Sequence, residues 1–231
     1  MSRVNAVTTD PYKLLAPLYE RYHDRATQRV LMQWVVTTLP RGRVVDCGAG
    51  TGIVGRYLAH KGYTVTLMDT SAAMLDEARQ RAIEEGVSIR IEVHDVRESF
   101  QETFDHAIAM MDVINHFPEP ADVSRFFHNI YTHLEADGYF IFDTLKSSYI
   151  TSLEGYSETF PEKPPLTWKA RLIDECRVEH TFTQGSIQHT LIEQSFEPNT
   201  LETWFKPWFE QKQKIEHDDR WIYILQKKNT P

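Results

Sequence analysis

The chain has 231 residues, of which 41% are hydrophobic and 25% are charged, and this composition predicts a soluble protein with one main domain. Its 25 basic and 33 acidic residues give a net charge of -8 and form no basic run, which disfavours a nucleic-acid partner because phosphates require a basic face. The chain has two cysteines, which we expect to be reduced thiols. Its start does not resemble a leader, and it has no apolar run long enough to span a membrane, so we expect a cytoplasmic location and no membrane partner.

The first forty residues carry two helical patterns. In the first, aromatic and apolar residues recur at helical spacing, although Pro17 interrupts the series. Its members are Tyr12, Leu14, Leu15, Leu18, Tyr19 and Tyr22. The second pattern runs from Val30 to Leu39 and closes at Pro40. We therefore expect residues 1–40 to form a helical cap ahead of the first strand.

Strand and helix patterns alternate between residues 41 and 145. Predicted strands cover 43–47, 63–69, 89–93, 104–110 and 139–143, and predicted helices cover about 51–60, 71–86 and 120–134. The stretch 97–103 is too short for a crossover helix, so one helix is predicted to be abbreviated or missing. Such alternation is typical of βαβ units and of a parallel sheet covered on both faces.

The pattern changes after Asp143. Residues 146–165 are rich in Ser, Gly and Pro and predict a loop. Antiparallel strands are predicted over 167–174, 177–183 and 187–196, a helix over 199–209, and a closing hairpin over 212–215 and 221–227. We expect residues 146–196 to form an antiparallel lid and residues 197–231 to complete the main sheet.

A glycine-rich loop joins the first strand to its helix, with glycines at 48, 50 and 52. Glycines allow a sharp turn and a close approach by a ligand. Residues 50–55 also fit the G-x-G-x-x-G pattern of dinucleotide sites, so an NAD site is an open alternative. Asp46, two residues before the first glycine, favours S-adenosylmethionine (SAM), because a carboxylate suits its ammonium group and opposes a pyrophosphate.

Further cofactor candidates follow the second and third strands. Asp69 ends the second strand, where an acid can accept ribose hydroxyls in both NAD and SAM folds; its alternative role is to cap the next helix, in competition with Ser71. Asp95 follows the third strand and suits an adenine amino group. Met74 either covers one face of the adenine or fills the core beneath the helix.

Five segments in this order resemble the class I SAM-dependent methyltransferases. They cover residues 45–52, 68–75, 94–96, 104–117 and 134–139. The resemblance implies an α/β fold whose doubly wound, mostly parallel, seven-stranded Rossmann-like sheet carries an antiparallel β lid after strand five. The lid position and the opening helix are most similar to the small-molecule branch that includes glycine and sugar-amine N-methyltransferases.

The resemblance also implies the cofactor and its site. SAM would lie at the carboxyl edge of the sheet, with Tyr19 near its methionine end and the Met110 carbonyl facing its ammonium group. The implied cofactor residues are Tyr19, Asp46, Gly48, Ala49, Gly50, Gly52, Asp69, Thr70, Met74, Asp95, Val96, Met110 and Met111.

His116 is the catalytic candidate, as a general base. It follows the fourth strand, and an imidazole titrates in the range that proton transfer needs; the alternative is a structural hydrogen bond to a neighbouring loop. No metal is predicted, although Asp112, Asn115 and Asp143 could gather as oxygen ligands for magnesium.

The presumed lid and C-terminal segments carry further candidates. His180 and His189 are predicted to be surface residues. Trp168, Trp204 and Trp208 are predicted to fill the core of the lid, with an aromatic pocket as the alternative.

Methyl transfer from a sulfonium needs alignment more than it needs a base, since the donor is already activated. The sequence therefore predicts a SAM-dependent methyltransferase, monomeric or homodimeric, that acts on a nitrogen or oxygen of a small molecule. The open alternatives are a SAM-binding regulator or complex subunit without transferase activity, and a nicotinamide oxidoreductase.

Overall fold

The computed structural model describes residues 10–22 and 25–229. Its helices are α1 (Tyr19–Tyr22), α2 (Arg25–Thr38), α3 (Ile53–His60), α4 (Ala72–Glu85), α5 (Pro120–His133), α6 (Ser147–Ser152) and α7 (Pro198–Phe205). Its strands are β1 (Arg43–Cys47), β2 (Thr64–Asp69), β3 (Arg90–Val93), β4 (Phe104–Ala109), β5 (Leu134–Leu145), β6 (Ser157–Phe160), β7 (Leu166–Leu172), β8 (Arg177–Gln184), β9 (Ile187–Gln194), β10 (Phe209–Glu216) and β11 (Arg220–Lys227). No helix in these described residues is long and apolar enough to cross a membrane.

The main sheet has seven strands in the order β10-β11-β5-β4-β1-β2-β3. The five strands from β1 to β5 pair in parallel, and the hairpin of β10 and β11 joins β5 antiparallel. The chain moves outward from β1 to β3 and then returns to place β4 on the other side of β1. This reversal is a topological switch point, where the carboxyl ends of parallel strands leave a crevice for a ligand.

Helices cover both faces of this sheet, as the alternation predicted. Adjacent residues of β1 separate accordingly, with Val44 packed in one buried cluster and Val45 in the other. The Val44 cluster includes Leu31 of α2 and Leu58 of α3, and the Val45 cluster includes Phe127 of α5. This period-two division makes the sheet doubly wound and confirms the predicted fold class.

Local signals set the ends of α4, the helix that follows β2. The Ser71 hydroxyl accepts the Met74 N–H at 3.2 Å and caps the first turn. Gly86 ends the helix in the left-handed region with φ 67°, a conformation that costs glycine little. Ser71, and not Asp69, is therefore the residue that caps α4.

The link between β3 and β4 contains no helix, as its length predicted. Asn129 of α5 donates hydrogen bonds to the carbonyls of Val96 at 2.8 Å and Glu98 at 2.6 Å. These bonds satisfy backbone groups that a crossover helix would otherwise pair internally.

The second sheet is antiparallel, with the order β6-β7-β8-β9, and it follows β5 as predicted. The predicted loop over 146–165 is wrong, because α6 and β6 lie within it. Ile150, Leu153 and Phe160 are buried there, and apolar residues scattered in this way through a polar stretch give too weak a periodic signal to predict either element.

The predicted N-terminal helix is also wrong in part. Residues 11–18 form successive turns, and only Tyr19–Tyr22 is helical. Pro17 lacks the N–H that a continuous helix would need, which explains the break. We call residues 10–22 the strap. The structure describes the backbone of Tyr22 but not its side chain, and residues 1–9 lie outside the described part of the chain.

Candidate functional site

The loop after β1 is built around left-handed glycines. Gly48, Gly50 and Gly52 have φ values of 65°, 54° and 74°. A Cβ at Gly48 would lie 2.7 Å from Val113, and one at Gly52 would lie 2.6 Å from Leu67. Both the backbone conformation and the packing therefore require glycine, and the loop stays thin where it faces the crevice.

A cavity of about 290 Å³ lies against this loop at the switch point. It is lined by twelve of the thirteen predicted cofactor residues: Tyr19, Asp46, Gly48, Ala49, Gly50, Asp69, Thr70, Met74, Asp95, Val96, Met110 and Met111. Gly52 is the exception, because it packs beneath the loop against Leu67. We call this space the loop cavity.

Two carboxylates of the loop cavity are fixed by backbone N–H groups. Asp46 is buried and accepts the Gly55 N–H at 3.0 Å. Asp69 accepts the N–H groups of Gly50 and Ser71, both at 2.8 Å. Burial raises the pKa of Asp69, and it raises the pKa of Asp46 to about 7. A cationic ligand would offset this desolvation, so the carboxylates favour a ligand with a positive charge and hydroxyl donors.

The far end of the loop cavity holds a charge pair that the sequence reasoning had only half identified. The Arg97 guanidinium donates to both carboxylate oxygens of Asp95, at 2.9 Å and 2.6 Å. These hydrogen bonds lower the pKa of Asp95. Arg97 was missed because a single arginine two residues after an acid is an ordinary surface pattern.

The turn after β4 is strained. Met111 and Asp112 both adopt left-handed conformations, with φ values of 70° and 61°. Their N–H groups donate to the buried carboxylate of Asp143, at 2.6 Å and 3.2 Å, and Arg220 donates to Asp143 from β11. Non-glycine residues keep such a conformation only where their surroundings impose it, and functional sites are where this occurs.

These contacts exclude the arrangement considered for magnesium. Asn115 is occupied on both sides of its amide, because it donates to the Gln194 carbonyl at 2.7 Å and accepts the Leu145 N–H at 3.1 Å. Asp143 is occupied by the turn and by Arg220. The alternative trio of Asp112, Asn115 and Asp143 therefore does not gather as a ligand set.

His116 ends a short 3-10 helix, Val113–His116, and lies where several polar groups converge. Its Nε2 is 3.1 Å from the Tyr12 hydroxyl and 3.7 Å from carboxylate oxygens of both Asp112 and Glu193. Burial lowers the pKa of His116, but Asp112, Glu193 and Asp69 outweigh it, so the pKa is raised. The ring can therefore gain and hold a proton at this position.

A second cavity, of about 150 Å³, lies between the strap and the antiparallel sheet. We call it the lid cavity. Most of its wall is apolar, and its polar side chains gather around His116. Tyr12, Tyr19 and His116 line both cavities, so the two spaces meet at these three side chains.

The prediction that His180 and His189 are surface residues is wrong, because they are only 2% and 7% exposed. Alternation along β8 turns His180 inward beside Phe182, and His180 lines the lid cavity. Trp168 also lines it and packs in the lid core. The prediction for Trp204 and Trp208 is wrong, because they pack against the core of the main sheet and not in the lid.

Two further residues of the site were missed by sequence reasoning. Glu193, on β9, contributes a carboxylate to the lid cavity. Asp10 ties the strap down, because it accepts the Ser71 hydroxyl at 2.8 Å and the Tyr12 N–H at 3.0 Å. Neither acid lies in a motif, and only the tertiary structure brings them to the site.

Comparison with solved structures identifies the fold. The chain superposes on a SAM-dependent methyltransferase from Clostridium acetobutylicum ATCC 824 with a TM-score of 0.75 and 18% identity, covering 93% of this chain and 96% of that one. The sugar N-methyltransferase KedS8 from Streptoalloteichus sp. ATCC 53650 gives a TM-score of 0.76 at 14% identity, covering 99% and 97%.

Sequence comparison adds a domain assignment. Residues 44–138 match the methyltransferase domain family. YqeM of Bacillus subtilis (strain 168), which carries a provisional methyltransferase name, is 30% identical over 154 residues, 65% of this chain and 60% of that protein. A ubiquinone biosynthesis O-methyltransferase of Hahella chejuensis (strain KCTC 2396) is 36% identical over 88 residues, 37% of either chain. The chain spans less than two thirds of the length of both relatives.

The superpositions confirm the fold predicted from the order of the motifs. The chain contains a methyltransferase domain and has the class I SAM-dependent methyltransferase fold. The Clostridium acetobutylicum protein is described as SAM-dependent.

Proposed function

We propose that this chain transfers the methyl group of SAM to a nitrogen or oxygen atom of a small molecule that binds beneath the antiparallel sheet. One observation carries the proposal: the loop cavity and the lid cavity meet at Tyr12, Tyr19 and His116. A donor in the first space and an acceptor in the second would face each other at that junction, which is the alignment that an in-line displacement requires.

The loop cavity suits SAM along its whole length. Asp46 and the Met110 carbonyl would face the amino-acid end, and Asp69 would accept ribose hydroxyls. Met74, Asp95 and the neighbouring Val96 would hold the adenine. The fit rests on the fixed carboxylates and on glycines that leave no Cβ in the crevice. A dinucleotide pyrophosphate would instead meet the buried Asp46 carboxylate.

SAM, when bound, supplies a methyl group already activated by its sulfonium charge. The residues of this chain would align the acceptor and keep water out, which is the role of Tyr12 and Tyr19 at the junction. His116 Nε2 would receive a proton from an acceptor that arrives protonated, with Asp112 and Glu193 stabilising the imidazolium. A neutral acceptor would need no base.

A small molecule is the acceptor class that the lid cavity favours, since its volume of about 150 Å³ suits a compact group. The net charge of -8 also disfavours a nucleic acid.

The test has two parts. Titration calorimetry with SAM, S-adenosylhomocysteine and NAD on the wild-type chain should show binding of the first two only. Formation of S-adenosylhomocysteine should then be followed across a panel of amines, phenols and alcohols. Binding of NAD in place of SAM would overturn the proposal. SAM binding without turnover on any acceptor would favour a SAM-binding regulator instead.

A further inference from the structure

Resting on the proposed function, we propose that the acceptor is an amine on an apolar, ring-bearing body, and that Asp112 and Glu193 bind its ammonium group beside His116. This inference names the substrate class that the contacts of the lid cavity select. Such an acceptor differs from the sugar for which the structural neighbour KedS8 is named, and from the ubiquinone biosynthesis for which the Hahella chejuensis relative is named.

The ammonium site is formed by two carboxylates from different parts of the fold. Asp112 comes from the strained turn after β4, and Glu193 comes from β9. Ligand atoms of Asp112, His116 and Glu193 all lie within 4.8 Å of one another. An ammonium group has three N–H donors and can therefore contact all three side chains at once.

His180 shows that Glu193 is held toward the cavity. The Trp168 indole N–H donates to His180 Nδ1 at 3.0 Å. Because an indole can only donate, Nδ1 is unprotonated and the ring proton lies on Nε2. That nitrogen is buried, makes no hydrogen bond within the described chain, and lies 3.2 Å from Glu193 Oε2. Glu193 Oε2 therefore lies beside His180 in the cavity wall, and Glu193 Oε1 lies 3.7 Å from Nε2 of His116.

Charge favours a monovalent cation with N–H donors over a divalent metal. Arg220 contacts the other oxygen of Asp112 at 3.3 Å, so a metal would lie near a fixed guanidinium. The Tyr12 hydroxyl already contacts Nε2 of His116, the nitrogen that a metal would need. An ammonium group would also have to replace the Tyr12 hydroxyl at Nε2, but it adds only one positive charge beside the guanidinium, in a region rich in carboxylates.

The rest of the cavity predicts an apolar body for this amine. The apolar part of its wall consists of Leu15, Leu18, Phe160, Leu166, Trp168, Phe182 and Leu191. Trp168 and Phe182 stack with their rings 21° apart and their centroids separated by 5.7 Å. A sugar would place hydroxyls against this surface without partners, which is costly, whereas an aromatic or alicyclic body would gain contact.

The tyrosines of the site indicate how a phenol would behave there. Burial raises the pKa of Tyr12 and of Tyr19, and Glu193 and Asp112 raise both further. A phenolic acceptor, which reacts best as the phenolate, would meet the same penalty. The same field stabilises a bound ammonium group, and the proton that the amine must lose before it reacts is taken by His116.

The bonds and protons of the methyl transfer are all accounted for by the amine, SAM and His116. The ammonium nitrogen gives one proton to His116 Nε2, and its freed lone pair forms the new N–C bond. The pair of the broken C–S bond stays on sulfur, and the product leaves as an N-methylammonium ion. No oxidant, reductant or further reactant is needed.

The test compares three acceptors that have an eight-carbon aromatic body with one amino sugar. With the full chain and saturating SAM, 2-phenylethylamine, 2-phenylethanol, 4-ethylphenol and glucosamine would be compared for turnover and for binding to the protein loaded with S-adenosylhomocysteine. We expect only the apolar amine to bind and react. Glu193→Gln should raise its KM by about 10- to 100-fold, as expected for the loss of a charged partner, and leave SAM binding unchanged.

Glu179→Gln is the matched control, because Glu179 lies on the neighbouring strand β8 and pairs with Arg171 at the surface. This variant should leave KM unchanged. Preference for the phenol, the alcohol or the sugar would overturn the inference while leaving the methyltransferase proposal intact. It also fails if no apolar amine binds, if Glu193→Gln leaves the amine KM unchanged, or if activity requires a divalent metal and is lost in EDTA. Failure to bind SAM would instead refute the proposed function.

Discussion

The loop cavity and the lid cavity are built in different ways. The loop cavity is lined mainly by one glycine loop and by residues at the ends of consecutive strands, and its acids are fixed by nearby backbone N–H groups. The lid cavity is assembled from the strap, the turn after β4 and the antiparallel sheet. Its key contact, between Tyr12 and His116, joins residues 104 positions apart. The first is therefore specified locally, and the second depends on tertiary packing.

The largest expected effect comes from the residue that supports the turn between the two cavities. Arg220→Met would leave the buried Asp143 carboxylate without its guanidinium. We expect the free energy of unfolding to fall by about 3–5 kcal/mol, the usual cost of an unpaired buried charge. Urea unfolding measures it.

Arg177→Met is the control, because Arg177 pairs with Asp174 at an exposed site. Its loss should leave the free energy of unfolding nearly unchanged. Equal losses in the two variants would show that Arg220 does not hold the turn. Adding Asp143→Asn to Arg220→Met should recover part of the lost stability, since the amide carries no charge.

Asp46 should make the ligand-free protein less stable as pH rises. Its pKa is raised by burial to about 7, above that of the unfolded chain, so the folded state binds its proton more tightly. Stability is then greatest below the unfolded pKa and falls as pH rises toward 7, by up to about 4 kcal/mol.

Asp46→Asn keeps an acceptor for the Gly55 N–H and removes the charge. The variant should gain stability relative to the wild type between pH 5 and pH 8, in urea unfolding without ligand. A difference that does not change with pH would mean that Asp46 stays ionised when buried.

Asp69 tests the loop cavity alone. Asp69→Ala should weaken SAM binding by about 1–3 kcal/mol, because it leaves hydrogen-bonding groups without partners. Asp76→Ala, on the exposed part of α4, should have no effect on binding. Calorimetry on folded variants measures both, and an unchanged affinity in Asp69→Ala removes Asp69 from the cofactor site.

The smallest effects concern the strap. Bound S-adenosylhomocysteine should slow hydrogen exchange in residues 11–22, because gating segments come from the less stable parts of a fold. Tyr12→Phe removes only the hydroxyl that contacts His116 and should lower kcat/KM by about fivefold, the worth of one hydrogen bond. Equal exchange with and without ligand would make the strap a permanently docked segment.

The extent to which each region could be predicted follows from the same difference. Period-two and helical patterns, glycines and strand-end acids are local signals, so the parallel sheet and most residues that line the loop cavity could be predicted from the sequence. Glu193 and His180 could not, because their direction depends on the register of the lid strands, and a shift of one residue would turn both outward. A continuous helix was wrongly predicted for the strap, because the helical spacing of its apolar residues was given more weight than Pro11 and Pro17.

The most direct test is a double comparison of Asp69→Ala and Glu193→Gln, measuring the Kd for S-adenosylhomocysteine and the acceptor KM at saturating SAM. We predict that Asp69→Ala weakens only cofactor binding and that Glu193→Gln raises only the acceptor KM. If Glu193→Gln weakened cofactor binding as much as Asp69→Ala does, the division into a donor cavity and an acceptor cavity would be wrong.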